Sequence, residues 1–531
     1  MNQDQGSGVT PADTDQATTL SKRDFLKAAS LAAALGLSGA ALAAASKGAD
    51  GREPRYDLIV VGGGNAGLPT AIFAAQRGAR VLIVDAAGAL GGTLFLSSGQ
   101  MSAAGTKLQK SMGIEDSWQL HYDDIMRIST GTADPVLVRL AVENAAATFD
   151  WLTDNGFKVR EGHPVTGTTH DPYSRPRYAW GYEGGRSILK VLNEQLKPLV
   201  DSGKITVLLQ TKVTGLVQER DGSIAGVTTQ HDDGHTGRHL ARYVALTCGG
   251  YTENAEMYEK YEGVKDYSKM TYPFSQGAGY TLAVAAGGYV RGGQNHCPLF
   301  GAVTSDYNYP APMIANARHF PGDRPPWEIY VNKFGKRFIC EDMRSHTEYE
   351  RGLGAQPDER CWAVFDDAMF KAMPPLLGGG MGSPFTDQDV LDAFETGAPN
   401  FFKADSIEAL AKAAKVDPAG LAATIEIFNA AQAGKRRDPF GREHMPLPIA
   451  KGPFYAIQIQ SWNLTAYAGV AVDGQLRVIR QDGKPIRNLY AAGELLGMGQ
   501  LMGKSVPGGM SVTPALTFGR LLGSSILRFE A

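Results

Sequence analysis

The sequence predicts an α/β fold built around a parallel sheet, and a short N-terminal stretch carries most of the evidence. Leu58–Val61 is an apolar run of the length of a buried strand. A glycine-rich turn follows it, then small apolar residues at helical spacing from Ala71 to Ala75. Gly78 ends that pattern, and Val81–Val84 is a second apolar run. Strand, turn, helix and strand in this order are typical of a Rossmann-like βαβ unit.

The turn between the first strand and the helix has the spacing of a dinucleotide-binding loop. Gly62, Gly64 and Gly67 follow the pattern G-x-G-x-x-G, with Asn65 and Ala66 between them. The first glycine permits a tight turn, the second lets a phosphate approach the backbone, and the third lets helix and strand pack closely. Asp85 follows the second strand and is placed to accept hydrogen bonds from a ribose. The unit therefore predicts a bound dinucleotide.

Charge and cysteine content exclude several other classes of protein. The formal net charge is −3, so we expect no nucleic-acid partner. The four cysteines, Cys248, Cys297, Cys340 and Cys361, form no C-x-x-C pair, so we expect no metal site and no attached c-type haem. No apolar run after residue 46 is long enough to span a bilayer, so we expect no stable membrane insertion.

The N-terminus has the features of an export signal. Residues 1–20 are polar and predicted to be disordered. Lys22 and Arg23 precede a weakly apolar run, Ala28–Ala45, which contains an A-x-A cleavage pattern at Ala41–Ala43. The segment resembles a twin-arginine (Tat) signal in which Lys22 replaces one arginine. We therefore expect residues 1–45 to be a leader and the protein to be periplasmic. An N-terminal helix that is retained is the alternative.

The stretch GALGGTLFLSSGQMSAAGT, residues 88–106, distinguishes between dinucleotides. It resembles the flavin loop of the FAD-dependent oxidoreductase 2 superfamily, which contains flavocytochrome c fumarate reductases and ketosteroid dehydrogenases. The matching residues are Gly91, Gly92, Thr93, Ser98, Gly99 and Met101. The resemblance implies FAD. No histidine lies between residues 92 and 99, where the succinate dehydrogenase branch attaches its flavin, so we expect FAD to be bound non-covalently.

Four later segments extend the resemblance over nearly the whole chain after residue 55. They contribute a predicted adenine contact at Val213, a strand end with Cys248 and Gly249, an Ala-Gly-Glu turn with Glu494, and a closing helix that begins near Ser511 and Val512. One feature departs from the family, because Ala278 stands where the family has an acid in a Gly-Asp-Gly turn.

The resemblance also implies the domain organisation. The FAD-binding domain is expected to comprise residues 52–298 and 467–531. An α+β capping domain that holds the substrate is expected to be inserted at residues 299–466. Helical patterns after residues 386, 405 and 417 fit that domain. A hairpin turning at Lys333–Gly335 resembles a family motif that ends in a glutamate, here Glu341.

Four residues are candidates for catalysis. In fumarate reductases an arginine shortly after the motif's glutamate donates the proton, and Arg344 lies one position short of that alignment. An ion pair between Arg344 and Glu341 or Glu348 is equally compatible with the sequence. His346 is an alternative donor, as is the nearby Tyr349.

The other two candidates lie outside this motif. His296 resembles the histidine that opens the family's substrate loop, although a histidine alone is more often structural. Tyr467 resembles the tyrosines with which ketosteroid dehydrogenases polarise a ketone, and a packed aromatic is its alternative.

Two positions argue against a small dicarboxylate as substrate. Val506 occupies the place of the arginine that clamps a carboxylate in fumarate reductases, and Thr465 occupies the place of a clamp histidine. A dianion needs paired cationic donors, for which arginine is best suited.

We therefore predict an FAD enzyme that interconverts C–C and C=C bonds in a neutral or monoanionic enone or acid, with a separate electron partner. A role like that of fumarate reductase or ketosteroid dehydrogenase, and a non-catalytic flavin-binding subunit, remain the alternatives.

Overall fold

The computed structural model describes residues 55–529 apart from 168–169, 270, 320–323 and 380–384. The predicted leader, residues 1–45, lies outside the described residues. The strands, in chain order, are β1 (Arg55–Val61), β2 (Val81–Val84), β3 (Met101–Ser102), β4 (Tyr178–Ala179), β5 (Ile205–Leu208), β6 (Thr211–Gln218), β7 (Ile224–His231), β8 (Thr236–Leu246), β9 (Ser268–Lys269), β10 (Val290–Arg291), β11 (Leu299–Thr304), β12 (Ala311–Ala317), β13 (Ile329–Val331), β14 (Arg360–Asp366), β15 (Leu377–Gly379), β16 (Phe401–Ala404), β17 (Phe454–Trp462), β18 (Gly469–Val470), β19 (Arg477–Ile479) and β20 (Pro485–Ala491).

The α-helices are α1 (Gly67–Gln76), α2 (Lys107–Ser111), α3 (Trp118–Ile128), α4 (Pro135–Asp154), α5 (Gly185–Asp201), α6 (Ala255–Glu262), α7 (Ala278–Ala285), α8 (His346–Gly354), α9 (Asp367–Ala372), α10 (Asp387–Thr396), α11 (Ile407–Ala414), α12 (Pro418–Gln432), α13 (Met498–Leu501) and α14 (Val512–Leu521).

The first sheet is parallel at its centre. Its strand order is β19-β20-β8-β1-β2-β5, and β6 and β7 extend it antiparallel from β8. Val60 of β1 pairs with Ile83 of β2 on one side and with Ala245 of β8 on the other. The strands β20, β8, β1, β2 and β5 run parallel to one another, so their carboxyl ends meet at one edge. Strands buried on both faces need continuous apolar runs, which β1 and β2 supply.

The second sheet comes from the middle of the chain and is mainly antiparallel. Its order is β13-β14-β17-β11-β12-β15, with β16 beside β17 and β9 parallel to β12. All nine residues of β17 are buried, and the strand lies inside the sheet between β11 on one side and β14 and β16 on the other. We call this part, residues 299–466, the capping unit, and the rest the FAD unit.

The helices of the capping unit form where the sequence pattern indicates them. Thr386 and Asp389 form a reciprocal capping box at the start of α10. Asp417 caps α12 by accepting a hydrogen bond from the N–H of Gly420 at 2.6 Å. The predicted hairpin is also present, because Gly335 donates to the carbonyl of Asn332 at the turn.

The prediction of an α/β fold with a Rossmann-like FAD-binding part and an added α+β part is confirmed. Each part has its own apolar core. Within the described part of the chain, no helix combines the length and apolarity needed to cross a membrane.

Candidate functional site

A cavity of about 480 Å³ lies at the carboxyl edge of the parallel strands and continues to the capping unit. The residues after four strand ends line it: Gly62 after β1, Asp85 after β2, Cys248 after β8 and Glu494 after β20. Ligand sites in α/β sheets form at this edge because loops from adjacent parallel strands converge there. The volume is in the range of small-molecule sites.

Each glycine of the first turn has the structural role that the G-x-G-x-x-G spacing predicts. Gly62 has φ +97°, and a Cβ there would lie 2.6 Å from Cys248 Cα. A Cβ on Gly67 would lie 1.9 Å from the carbonyl oxygen of Gly62, so the helix packs against the strand end only with glycine. A Cβ on Gly64 would meet nothing closer than Gly92 Cα at 3.8 Å, and Gly64 lines the cavity. The middle glycine therefore leaves room for a ligand at the start of α1.

Asp85 ties this turn to the end of β2. Its carboxylate accepts hydrogen bonds from the N–H groups of Gly63 at 2.7 Å and Ala87 at 2.8 Å. Burial raises the pKa of Asp85 to about 6, and the two N–H donors oppose that rise. A carboxylate held here accepts hydrogen bonds from a ribose, the role that the sequence predicts for Asp85.

Most of the residues predicted to hold the cofactor line the cavity. These are Gly62, Gly64, Asn65, Ala66, Asp85, Gly92, Thr93, Ser98, Val213, Cys248, Gly249, Glu494, Ser511 and Val512. Four others do not line it and support the loops instead.

Those four are Gly67, Gly91, Gly99 and Met101. Gly91 has φ +133° and donates to the carbonyl of Gly63, which holds the flavin loop against the first turn. A Cβ on Gly99, with φ +67°, would lie 2.5 Å from the carbonyl carbon of Gly184. Met101 is buried in β3, beside β4.

Glu494 connects the cavity to the return of the chain from the capping unit. It accepts a hydrogen bond from the N–H of Ala466 at 3.1 Å. Burial raises its pKa to about 7, and this N–H opposes the rise. Ala278, where the family has an acid, lines the same cavity without a charge.

Tyr467 is the one sequence-predicted catalytic residue that lines the cavity. Its side chain is buried, and its hydroxyl donates a long hydrogen bond of 3.5 Å to the carbonyl oxygen of Ser505. Burial raises the pKa of Tyr467 well above its usual value, and the nearby Cys297, Glu350, Glu262 and Glu359 raise it further. The phenol is therefore protonated at neutral pH and available as a hydrogen-bond donor.

Arg344 is exposed and does not line the cavity. The two glutamates suggested as its ion-pair partners pair with other arginines, because Arg337 binds Glu341 and Arg351 binds Glu348. The structure therefore brings Arg344 neither to the cavity nor into the expected ion pairs.

His346 and Tyr349 are buried in α8, outside the cavity lining. The backbone N–H of His346 donates to the carboxylate of Asp171 at 2.9 Å. The ring of His346 lies 6.5 Å from that of His319. The hydroxyl of Tyr349 donates to the carbonyl of Glu341.

His296 lies behind the cavity, between two carboxylates. Its Nδ1 is 2.9 Å from Glu262 Oε2, and its Nε2 is 2.9 Å from Glu359 Oε1. Burial alone would lower its pKa, but the hydrogen bonds to the two glutamates outweigh burial and raise the pKa to about 9. Both ring nitrogens of a charged imidazole therefore bind protein groups, and neither is directed to a ligand.

The sequence reasoning missed several residues that line the cavity. They include His170, Tyr272, Phe274, Cys297, Leu464 and Pro507. Burial lowers the pKa of His170 to about 4, so this cavity residue is neutral at pH 7. The rings of Tyr272 and Phe274 lie 5.6 Å apart. No local pattern marked these positions, because they lie in loops whose course depends on tertiary packing.

The cavity wall carries little positive charge. Among the described residues that line it, none is an arginine, and the one lysine, Lys212, is an exposed residue next to Val213. Val506 and Thr465, the two positions where the sequence departs from a dicarboxylate clamp, line the wall, as does Tyr467. Across the described ranges, no three His, Cys, Asp or Glu side chains are grouped to hold a metal ion.

Helix α8 of the capping unit is fastened to the FAD unit at both ends. At its start, Ser345 Oγ and the N–H of His346 donate to Asp171, which follows the cavity residue His170. Near its end, Arg351 donates from Nε to the carbonyl of Lys504 at 2.7 Å and from Nη2 to the carbonyl of Ile128 at 2.9 Å. These contacts close the capping unit over the cavity.

A family model described as FAD binding domain matches residues 57–509, which includes every strand end at the cavity. The chain belongs to this family. It is therefore a FAD-dependent flavoprotein, as the sequence predicts.

Curated relatives fit this assignment. The chain is 28% identical to a probable fumarate reductase of Shewanella frigidimarina over 90% of this chain and 76% of the relative. It is 30% identical to an NADH:fumarate oxidoreductase of Klebsiella pneumoniae over 91% of this chain, but it spans only 49% of that protein. A urocanate reductase of Eggerthella lenta is 27% identical over 90% of this chain and 75% of its own length.

Solved structures show the same fold. The open conformation of a flavocytochrome c3 fumarate reductase matches with a TM-score of 0.65 at 25% identity, over 98% of this chain and 84% of that chain. A 3-ketosteroid delta1-dehydrogenase from Sterolibacterium denitrificans matches with a TM-score of 0.68 at 19% identity, over 89% of this chain and 99% of that chain. At that identity the second match shows the fold alone.

The residues present fit FAD. Asn65 Oδ1 is buried without a hydrogen-bond partner among the described residues, beside the open position at Gly64. The helices α1 and α14 begin at the cavity, where Ala66 and Ser511 precede them and neither side chain caps the free N–H groups. Helix N-termini of this kind bind phosphate and other negative charge.

Proposed function

We propose that this chain reduces or forms a carbon–carbon double bond next to a carbonyl, in a neutral or monoanionic substrate. Bound FAD supplies the hydride acceptor or donor for such a reaction. The names of the relatives support the reaction class, because fumarate and urocanate each contain a C=C bond conjugated to a carboxylate. The relatives are named after different substrates. The residues that line the cavity of this chain therefore carry the argument for its substrate class.

The observation that carries the proposal is the placement of Tyr467 in a wall without arginine. A buried phenol donates a hydrogen bond to a carbonyl oxygen and stabilises the negative charge that develops there. The high pKa of Tyr467 supports this role, because burial and nearby carboxylates keep the proton on the phenol.

The proton step is also proposed to use Tyr467. Arg344, the first candidate from the sequence, is exposed and outside the cavity lining, which does not support it as the donor. His346 is buried in α8 but lies outside the lining as well. A general acid must come within hydrogen-bond reach of the substrate, and of these three only Tyr467 faces the space where one fits.

The proposed substrate class follows from the absence of cationic side chains at the two positions that resemble the carboxylate clamp of fumarate reductases. Val506 and Thr465 line the wall and carry no charge, and His170 is neutral at pH 7. Each charge-assisted hydrogen bond that a dianion would lose here is worth about 1.5–3 kcal/mol. A dicarboxylate is therefore disfavoured relative to an enone or a monoacid of similar size.

Fumarate reduction is the second candidate, because four of the curated relatives carry fumarate in their names. The deciding experiment measures reoxidation of the chemically reduced protein by fumarate, urocanate, cinnamates and steroid enones under anaerobic conditions. We expect an enone or cinnamate to reoxidise it at least tenfold faster than fumarate. Fumarate as the fastest oxidant would refute the proposed substrate class.

The electron partner and the cellular location are parts of the same proposal. The sequence contains no C-x-x-C-H motif, so electrons are proposed to come from or go to a separate protein or small molecule. Export is proposed through the Tat route, since the FAD site is built from segments far apart in sequence and forms only on folding. Arg23→Lys is expected to leave the holoprotein in the cytoplasm, as measured by cell fractionation. Normal export of that variant would refute the Tat route.

A further inference from the structure

A cluster of three buried charged side chains lies directly behind Tyr467. Glu262 is the last residue of α6 in the FAD unit, and His296 precedes the crossover into the capping unit. Glu359 belongs to the capping unit and precedes β14. The His296 side chain is 9% exposed and the two glutamates 0% and 3%. We call these three residues the Glu–His–Glu cluster.

Glu262 connects this cluster to Tyr467 and Tyr251. Its Oε1 accepts a hydrogen bond from the backbone N–H of Tyr467 at 2.7 Å and from the hydroxyl of Tyr251 at 2.5 Å. Its Oε2 is 2.9 Å from Nδ1 of His296. One buried carboxylate thus holds the backbone of Tyr467, which lines the cavity. Hydrogen bonds to a buried carboxylate are strong, and they leave little freedom to the groups that donate them.

The neighbours of Tyr467 are held in the same way. The N–H of Ala466 donates to Glu494, and the N–H of Ala468 donates to the hydroxyl of Tyr251 at 3.2 Å. Three consecutive backbone N–H groups therefore bind three side chains of the FAD unit. This anchors the chain at the point where it returns from the capping unit.

His296 holds the Glu262 carboxylate in place and is itself bound by Glu359. A charged imidazole donates from both nitrogens and so binds both glutamates, whereas a neutral one donates from one nitrogen only. The groups that face His296 are the two carboxylates and the rings of Tyr258 and Tyr467, at 6.3 and 5.6 Å. The cluster carries one positive charge between two negative ones, which is the arrangement a buried imidazolium requires.

The backbone around Glu359 is strained. Asp358 and Glu359 have φ values of +58° and +46°, a region that residues other than glycine seldom adopt. Gln460 Nε2 donates to the carbonyls of both residues at 2.8 and 3.0 Å and holds the strained loop in place. Strain of this kind persists where the surrounding structure fixes a functional group.

We infer that Glu262 is a positioning residue for Tyr467 and that His296 and Glu359 make this positioning depend on contact between the two units. Glu262 does not line the cavity, so it acts through Tyr467 rather than on the substrate. The inference rests on the proposed role of Tyr467, and the experiment must separate the two.

A double-mutant cycle provides that separation. Glu262→Gln is expected to slow reoxidation of the reduced protein by the best oxidant of the screen about tenfold, and less than twofold when Tyr467 is already phenylalanine. FAD affinity is expected to stay within twofold in all variants. Asp366→Asn is the matched control, because Asp366 is a buried carboxylate that accepts three backbone hydrogen bonds elsewhere in the capping unit.

The outcomes are distinct. If Tyr467→Phe alone leaves the rate unchanged, the proposed function of Tyr467 fails and the inference fails with it. If Tyr467→Phe slows the reaction but Glu262→Gln slows both backgrounds equally, only the positioning inference is overturned.

A second measurement needs no substrate. It uses a different variant, so it still tests the inference if Glu262→Gln does not fold. Hydrogen exchange of the backbone N–H groups of residues 466–468 is expected to be faster in Glu359→Gln than in the wild type and unchanged in Asp366→Asn. Unchanged exchange in folded Glu359→Gln would overturn the link through the capping unit.

Discussion

Replacing Gly64 with valine tests the proposed FAD site. Gly64 lines the cavity, and the space in front of its Cα is open. A Cβ on Gly64 would lie 3.8 Å from Gly92 Cα and meet no other atom within 4 Å. The backbone of Gly64 is outside the left-handed region, so a side chain there is not strained. The added methyl groups enter the cavity in front of α1, where the pyrophosphate of FAD is expected to lie.

The structure separates the effect on stability from the effect on binding. Because an added Cβ meets no protein atom closer than 3.8 Å, the free energy of unfolding of the apoprotein is expected to change by less than about 1 kcal/mol. Hydrogen bonds from backbone N–H groups to a phosphate are worth about 1.5–3 kcal/mol each. Losing two of them weakens FAD binding by about 3–6 kcal/mol, which is a rise in Kd of roughly 10²- to 10⁴-fold.

The assay uses apoprotein and added FAD. Flavin fluorescence quenching gives the Kd, and thermal unfolding of the apoprotein gives the stability. Gly88→Val is the matched control, because a Cβ there lies 4.0 Å from Gln210 and the residue is outside the cavity lining. Gly67→Val is the contrasting variant, since its Cβ would collide with the carbonyl oxygen of Gly62 and prevent folding. Gly64→Val that binds FAD as tightly as the wild type would refute the placement of the pyrophosphate.

Three further outcomes are expected. Tyr467→Phe slows reoxidation of the reduced protein by at least about 100-fold with FAD content unchanged, whereas Arg344→Ala changes the rate less than threefold; the reverse order in stopped-flow measurements would exclude Tyr467 as the donor. The pKa of His296 rises from 6.5 to about 9 on folding, so its stabilisation of about 3 kcal/mol is complete below pH 6.5 and is lost as the pH rises through 9. Urea unfolding at pH 7 and pH 10 checks this, and His296→Gln is expected to show a smaller loss; an equal loss in both proteins contradicts it. Acid or heat denaturation releases all FAD into the supernatant after centrifugation, and flavin retained on the precipitated chain would show a covalent bond.

The parts of the fold that the sequence predicts are those encoded in contiguous residues. The turn at Gly62–Gly67 and the strands on either side of it depend on local spacing, and the structure places them as expected. Glu494 and Val512 were found through family motifs that are also short and contiguous. Such patterns survive in sequence because a phosphate and a flavin impose the same local geometry wherever they bind.

The positions of the candidate catalytic residues were harder to predict, because they depend on contacts between segments that are distant in sequence. A histidine between two carboxylates and a histidine facing a ligand look alike in sequence, and the environment of His296 is set by residues 34 positions before it and 63 positions after it. Arg344 follows a recognisable motif, but the start of α8 is turned so that this side chain faces solvent. His170 lies in a loop without a pattern, and it lines the cavity together with residues far from it in sequence.

The attachment of Arg351 has a consequence for the order of events in turnover. Its guanidinium binds the carbonyl of Lys504, two residues before Val506 in the wall of the cavity. If the capping unit swings away, these hydrogen bonds must break before the chain around Val506 is free of it. Opening of the capping unit at this end of α8 would therefore also free the cavity wall around Val506. Weakening this attachment would shorten the residence time of a product without altering its chemistry.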